Sequence, residues 1–375
     1  ILTMLKLAVA ATVALALGCS DVSKGPACTE GEGRCNGATH QVCTNGSFSN
    51  SETCGGGLVC FPSFGCGECD PTIGTACVGN VVHECQPDGT VGANFFDCGE
   101  SGCSQGQCNS DCSVLGVDLI YVIDDDGNLY SFDPGQLGGE PFTAVGAVDC
   151  PAGAPWPDYN GPAEAFPFSM SVDRTGRAWV LYTSGEIFWV STVDARCATT
   201  PFRPDEAGFE LFAMGFVTEP SSESLYVAGG LASEASQVGD LGLVAPSLLD
   251  VDRIGDLSAT TINPRATPEL TGTGDGRLFG YYPGNESAIV EISKASGEEL
   301  QGWELAASTG DLEAWAFAQY GGRFYIFLTT SLGISETTSV IEFNPVLGEQ
   351  RTVVGSVGFR IVGAGVSTCA PTGEG

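Results

Sequence analysis

A three-residue pattern, small–bulky–small, occurs five times in the last two-thirds of the chain. The copies are Ser169-Met170-Ser171, Ala213-Met214-Gly215, Gly272-Thr273-Gly274, Ala316-Phe317-Ala318 and Gly363-Ala364-Gly365. Each lies in a short apolar run, and most are followed by a Gly- or Asp-containing turn and a second run rich in aromatic residues. Alternate residues of a strand point to one face, so both small residues of a copy face the same way. Strands that converge on a common axis need small side chains there, and five copies call for five such strands.

The residues between the copies read as antiparallel meanders. The clearest runs are 168–173, 178–182, 187–193 and 198–202, separated by the turns Arg174-Thr175-Gly176 and Ser184-Gly185-Glu186. Further sets begin at 211, 270 and 315. Residues 119–123, 129–132 and 142–148 supply a second, third and fourth strand but no first. The last copy, near the C-terminus, has no followers of its own, and placing it in the incomplete set completes both. The copies are spaced by 44, 59, 44 and 47 residues, within the range of propeller repeats. The fold expected is therefore all-β: a five-bladed β-propeller over residues 112–371, closed by its C-terminal strand, a closure that hides sheet edges. A β-sandwich would use the same strands, but five-fold repetition with one orphan strand favours the ring.

The supply of turn residues agrees, with 53 Gly and 20 Pro in 375 residues and little helical periodicity beyond the first 18. The formal charge of −32, from 46 acidic and 14 basic side chains, repels phosphate backbones and argues against nucleic acid as a partner. It leaves cations and basic partners open, and equally serves to keep an exported protein in solution.

Residues 1–18 have the form of a signal peptide, with Lys6 before the short apolar core 7–17. That core is too short to span a bilayer. It ends in Leu15-Ala16-Leu17-Gly18-Cys19, which resembles the lipobox of bacterial lipoproteins, with Ala16 where that pattern usually carries Leu. The resemblance implies cleavage after Gly18, lipid attachment to Cys19 and a short linker over 19–27. The acyl chains, at about 0.8 kcal/mol per buried methylene, would hold the chain at a membrane surface. Ordinary secretion is the alternative.

Of 17 cysteines, an exported chain is expected to pair all but a lipidated one. Twelve form two sets with nearly parallel spacing: 28, 35, 43, 54, 60 and 66, then 69, 77, 85, 98, 103 and 108. These define two small modules, 28–66 and 69–108, which read as a stalk or an interaction surface. Modules of about 40 residues depend on disulfides for stability, and their internal pairing is left open by the sequence. Cys66-Gly67-Glu68-Cys69 has redox Cys-x-x-Cys spacing, but it falls at the seam between modules. His40 and His83, the only histidines, precede the third cysteine of each set. They read as equivalent surface residues, with zinc binding as the alternative. Four cysteines remain. Strand closure pairs Cys112 with Cys369 and leaves Cys150 with Cys197.

Candidate ligand residues come from equivalent positions. Phe166, Glu210, Glu269, Glu313 and Arg360 each stand four residues before the centre of a small–bulky–small copy. They are expected to ring the mouth of a central channel, either as a ligand site or as an ion-pair network that trims the pore. Trp156, on the loop 151–165, is a sugar-stacking candidate or a loop anchor. Asp124-Asp125-Asp126-Gly127-Asn128 resembles part of an EF-hand calcium loop, with Asp124 and Asp126 as metal candidates. It lacks the distal Glu and reads equally as an Asp-Gly hairpin. No cofactor is called for, and Ca2+ is the ion this turn leaves open.

Two functions compete. The first is a non-catalytic, membrane-anchored binding or scaffolding protein at the outer membrane or cell surface, taking a carbohydrate or a protein. Residues 112–371 carry no histidine, which excludes Ser-His-Asp chemistry and a His-ligated catalytic metal from the expected propeller. The second is a glycosidase using Glu210, Glu269 and Glu313 as acid and nucleophile or base. Glu at repeated positions weakens it, because catalytic pairs stand in distinct environments. The order of parts, lipobox then Cys-rich repeats then propeller-like repeats, resembles surface lipoproteins of myxobacteria and related bacteria. That resemblance implies location and architecture and brings no activity with it.

Overall fold

A computed structural model of the chain describes residues 28–98, 102–104, 106–108, 112, 116–159, 161–205, 207–219, 222–232, 238–245, 249–264, 266–307, 310–332 and 335–373. The leader 1–18, Cys19 and the linker 19–27 lie outside the described residues. Among the described residues the chain is all-β, with one 3-10 turn at Pro134–Gln136 and no α-helix. Among those residues no helix is long and apolar enough to cross a membrane.

Two compact units divide the chain, Ile1–Cys66 and Gly67–Gly375. The first holds strands β1 (Gly33–Asn36), β2 (Thr39–Thr44) and β3 (Ser47–Thr53) in one antiparallel sheet, followed by β4 (Val59–Phe61) and β5 (Gly65–Gly67). Disulfides Cys28–Cys43, Cys35–Cys60 and Cys54–Cys66 join its cysteines in the order first to third, second to fifth and fourth to sixth.

The second unit opens with β6 (Thr75–Val78), β7 (Val81–Cys85) and β8 (Val91–Asp97) in a like sheet, then the short pair β9 (Cys103–Ser104) and β10 (Gln107–Cys108). Its bridges Cys69–Cys85 and Cys77–Cys103 repeat the first two pairings of module one. Cys66 and Cys69 are therefore bonded to different partners, and the Cys-x-x-Cys spacing is a seam. His40 Nε2 sits 3.2 Å from the Pro62 carbonyl and His83 Nδ1 3.1 Å from that of Gly92. With the cysteines around them in disulfides, neither has thiolates to share a zinc ion with. His40 also departs from the surface position expected of it, since it is buried.

The sequence divides the chain after residue 66 and again after 108, whereas its contacts divide it after 66 alone. The reason is apolar. Val82, Phe95 and Cys98 of module two share a buried cluster with Trp179, Trp189 and Phe202, so this module is part of the larger unit and not of a free stalk.

Twenty strands make five antiparallel sheets of four. Sheet one contains β11 (Ile120–Asp124), β12 (Asn128–Phe132) and β13 (Phe142–Ala147). Sheet two contains β14 (Pro167–Val172), β15 (Arg177–Tyr182), β16 (Ile187–Ser191) and β17 (Cys197–Thr199). Sheet three runs β18 (Leu211–Glu219), β19 (Ser222–Gly230), β20 (Asp240–Val244) and β21 (Val251–Asp256). Sheet four runs β22 (Glu269–Gly272), β23 (Leu278–Tyr282), β24 (Ser287–Ile292) and β25 (Glu299–Leu305). Sheet five runs β26 (Asp311–Tyr320), β27 (Arg323–Leu332), β28 (Ser335–Asn344) and β29 (Glu349–Val354). The last strand, β30 (Ile361–Val366), returns to sheet one and pairs antiparallel with β11, Ile120 opposite Val366 and Ile123 opposite Gly363. Outside the modules the bridges are Cys112–Cys369 and Cys150–Cys197.

Each sheet packs on the next through an apolar layer. Ile123 and Leu129 of sheet one meet Met170 and Val180 of sheet two. Trp179 and Leu181 meet Phe212 and Met214 of sheet three. Val217 and Tyr226 meet Leu270 and Tyr282 of sheet four. Phe279 and Tyr281 meet Phe317 and Phe324 of sheet five, and Ala316 and Phe327 meet Ile120 and Val122 of sheet one.

First strands also touch directly, with one repeated geometry. The Ser171 hydroxyl accepts from Phe216 N at 3.1 Å, and the Thr271 hydroxyl accepts from Gln319 N at 3.1 Å. A Cβ on Gly215 would stand 3.3 Å from Gly272 N, and one on Gly365 only 2.9 Å from Val172 N. In all four cases the small residue after the strand centre faces the residue two past the centre of the next first strand. The approach is too close for a larger side chain, which is the physical reason for the repeated pattern.

That register corrects the third copy, which falls in sheet four. Gly176-Arg177 at the start of β15 corresponds to Gly276-Arg277 just before β23, and Leu270 lies opposite Gly280 as Met170 lies opposite Val180. The true copy is Glu269-Leu270-Thr271, three residues before Gly272-Thr273-Gly274. Glu269 therefore occupies the first small position, with Ser169, Ala213, Ala316 and Gly363, and is not a mouth residue.

Candidate functional site

Phe166, Glu210 and Arg360 stand immediately before β14, β18 and β30, whereas Glu313, at the same four-residue distance from its strand centre, lies inside β26. Their side chains do not act as one group. Arg360 donates from Nη2 to the Glu313 carbonyl at 2.6 Å, with Nη1 3.7 Å from Glu336 and Nε 3.9 Å from Asp125. Burial raises the Asp125 carboxyl above the usual range, and the Arg360 guanidinium offsets part of this. A cleft of about 200 Å³ lies beside the guanidinium, lined by Glu336, Thr338, Gly358 and Phe359. The Glu313 carboxylate faces outward and accepts from the Ser331 hydroxyl at 2.6 Å. Glu210 turns back on its own sheet, accepting from Ala232 N at 2.6 Å. Phe166 packs against Tyr159 of the loop 151–165, ring centroids 6.0 Å apart.

Glu269 is the outlier. It is 6% exposed, and its carboxyl accepts from Ser169 Oγ at 2.7 Å. The two residues are 100 positions apart, on sheets two and four, which do not adjoin in chain order. Among the described residues no Lys or Arg pairs with this carboxyl. Burial pushes its pKa up to about 8, with the Ser169 hydroxyl offsetting part of the rise. It is consequently protonated at neutral pH and can itself donate a hydrogen bond.

Trp156 is an anchor. Its indole N–H donates to the Glu210 carbonyl at 3.0 Å, its backbone N–H donates to Thr183 O at 3.0 Å, and its ring covers Gly185. Gly185 has φ +79°, and a Cβ there would stand 2.6 Å from the indole nitrogen, so the ring needs this glycine.

The calcium expectation at Asp124 and Asp126 meets a hairpin. Asp124 is buried, and its two oxygens accept from Asn128 N at 2.7 Å, from Asn128 Nδ2 and from Tyr130 Oη at 3.3 Å. Its lone pairs are thus committed to closing the β11–β12 turn, while Asp126 is exposed. Among the described residues no three His, Cys, Asp or Glu side chains form a group able to hold a metal ion.

Two polar features escape a reading by blade position. The first is at the opposite end of the first strands. Asp173 accepts from Thr175 N, Thr175 Oγ1, Arg177 N, Arg177 Nε and Trp179 Nε1 at 2.5–3.0 Å. The Arg177 guanidinium lies over the Trp189 ring, 4.4 Å from its centroid. Nearby Glu223 accepts from Arg174 N at 2.9 Å and Thr368 Oγ1 at 2.8 Å. Its pKa is raised, first by burial and then by the Asp173 carboxylate. The Asp173-Arg174-Thr175-Gly176-Arg177 turn was the available signal. The second feature is a cavity of about 300 Å³ between module two and sheets one and two, with Phe95, Asp149 and Arg196 on its walls. It joins segments far apart in the chain and has no local signal.

No known protein family matches the chain, and no curated protein does. Among solved structures, the hydrazine synthase of Kuenenia stuttgartiensis is similar at 15% sequence identity, over 67% of this chain and 69% of that one, with a TM-score of 0.33. A likeness at that level carries no argument about this chain.

Proposed function

We propose that this chain is an exported lipoprotein, anchored through Cys19 at the outer membrane or cell surface, and that it binds or scaffolds without catalysis. On this reading the five sheets are the blades of a closed five-bladed β-propeller, with β30 as the first strand of blade one. The apolar layers between successive sheets, including five and one, and the repeated small-residue approach support the ring. The end carrying the loop 151–165 and Arg360 serves as the recognition platform for a carbohydrate or protein ligand. The acidic balance of −32 makes nucleic acid a poor partner.

The observation that carries the non-catalytic reading is the dispersal of the three glutamates. A glycosidase needs two carboxyl groups about 5 Å or about 6.5–9.5 Å apart across one cleft. Glu210 is capped by Ala232 N, Glu313 is held by Ser331, and Glu269, whose pKa burial raises, is buried away from solvent.

Two experiments test this. Metabolic labelling with a fatty-acid analogue is expected to mark the full chain but not Cys19→Ser, which moves from the membrane to the soluble fraction. Unlabelled wild-type chain would remove the anchor. A glycan and protein array is then probed with the soluble form from Ser20 onward. Binding is expected to weaken in Arg360→Ala and to survive Glu269→Gln. Glycoside hydrolysis lost in Glu210→Gln or Glu313→Gln would overturn the non-catalytic reading.

A further inference from the structure

The chain continues past β30 and crosses the far ends of the other first strands. Thr368 Oγ1 donates to Glu223 at 2.8 Å on the β18–β19 side of sheet three. The Thr368 carbonyl covers Gly274, just after β22, where any Cβ would collide with it. Gly321 N donates to the Pro371 carbonyl at 2.7 Å and Gln319 Nε2 to the Thr372 carbonyl at 3.4 Å, both at the end of β26. Cys369 Sγ stands 3.6 Å from the Arg174 carbonyl, just after β14. Six residues thus touch sheets two, three, four and five at matching places. Ser367, Thr368 and Ala370 are buried, yet none of 367–372 belongs to a strand.

What fastens this segment is uneven. β30 is held by a ladder to β11 and an apolar layer on each side. Residues 367–372 are held by a few hydrogen bonds, small side chains and one covalent link, Cys112–Cys369. Cys112 is exposed and has φ 64°, a left-handed conformation unfavourable for a residue with a Cβ. An accessible disulfide whose backbone gains by relaxing is the kind that opens first. Beneath the segment lies Glu223, a carboxyl that burial holds away from water and that hydration would favour.

We infer that residues 367–372 are a strap closing the axial passage at this end, and that Cys112–Cys369 is its redox latch, opened by a dithiol reductant while the five sheets stay paired. The passage rests on the closed-ring reading above, whereas the strap and its latch rest only on the contacts just described. In the opening step, one thiolate of the dithiol attacks Cys112 Sγ and the Sγ–Sγ bond breaks. Cys369 leaves as a thiolate and takes up a proton. The second thiolate of the reagent then attacks the mixed disulfide, releasing Cys112 and leaving the reagent as a cyclic disulfide. Two electrons pass from dithiol to bridge.

The soluble chain from Ser20 onward, with its disulfides formed, is titrated with dithiothreitol. Bridge opening is followed by alkylation and mass spectrometry, and amide protection by hydrogen exchange. Cys112 and Cys369 are expected to be alkylated before Cys150 and Cys197. Exchange over 367–372 and over the turn 174–176 is expected to rise at least about tenfold, with 120–124 and 361–366 unchanged. The double variant Cys112→Ser/Cys369→Ser reproduces this without reductant, and the reductant arm on the wild-type chain needs no variant to fold. The latch is refuted if this bridge opens no sooner than Cys150–Cys197, if protection of 367–372 survives its opening, or if 361–366 loses protection together with the strap. Fast exchange of 361–366 in the untreated chain would instead count against the closed ring, so the two failures are told apart.

Discussion

Replacing Glu269 by Gln gives a quantitative test of the buried carboxyl. In the folded chain its proton is held up to about pH 8, whereas a free glutamate loses it at about 4.5. Between those values the folded state binds a proton that the unfolded state has released, so stability falls as pH rises. The slope is about 1.4 kcal/mol per pH unit, and the whole window amounts to roughly 5 kcal/mol. This contribution is fully present below pH 4.5, declines through the window and is gone above about 8. Gln has the same shape, keeps an acceptor for Ser169 Oγ and does not titrate. Denaturant unfolding of both proteins, disulfides intact, is measured from pH 5 to 9. The stability of Glu269→Gln minus that of wild type is expected to climb by about 1.4 kcal/mol per pH unit up to pH 8 and then to level. Contributions from Glu223 and other groups are common to both and cancel. A difference that stays constant over this range refutes the assignment, because Glu269 would then be ionised in the fold and hydrated.

Three further outcomes follow from the geometry. Gly365→Ala is expected to lower stability by about 2 kcal/mol or more, since its Cβ would stand 2.8 Å from Ser171 backbone carbon; denaturant unfolding checks this, with Gly355→Ala, in open space, as the control. Asp173→Asn leaves Arg177 buried without its carboxylate and is expected to cost about 3–5 kcal/mol, read as a fall in unfolding midpoint. Trp156→Phe loses the bond to the Glu210 carbonyl, about 1 kcal/mol, and should speed exchange over 151–165 while β15 and β16 keep theirs.

The strands legible in the sequence are those whose pattern comes from packing on both faces. The runs 178–182 and 187–190 are continuously apolar because β15 and β16 are buried throughout. The outer strands β21, β25 and β29 are mostly exposed, and their sequences carry little hydrophobic signal. Counting cysteines and finding a strand without a sheet led to the Cys112–Cys369 and Cys150–Cys197 bridges, since covalent pairing leaves few alternatives. The site was harder. Gly272 and Gly274 imitate the small–bulky–small pattern and pull the register three residues late, which turned an interior carboxyl into a mouth residue. Only the ladder opposite Gly280 resolves this. The packing of module two on sheets two and three was hidden for another reason. Val82 and Phe95 are ordinary apolar residues in a cysteine-rich segment, and nothing local says which surface they cover.

Sheet one takes three strands, β11 to β13, from ahead of the other four sheets and its fourth, β30, from behind them, with Ile120 beside Val366. A chain made from its N-terminus must therefore wait for β30 before this sheet can be completed. Until then β11 presents an open hydrogen-bonding edge, and sheet five has no neighbour on one side. Folding is set to finish slowly, at the final contact, with the longest loop in the molecule to close. An interrupted or truncated chain would be left with an adhesive edge suited to pairing with another such chain.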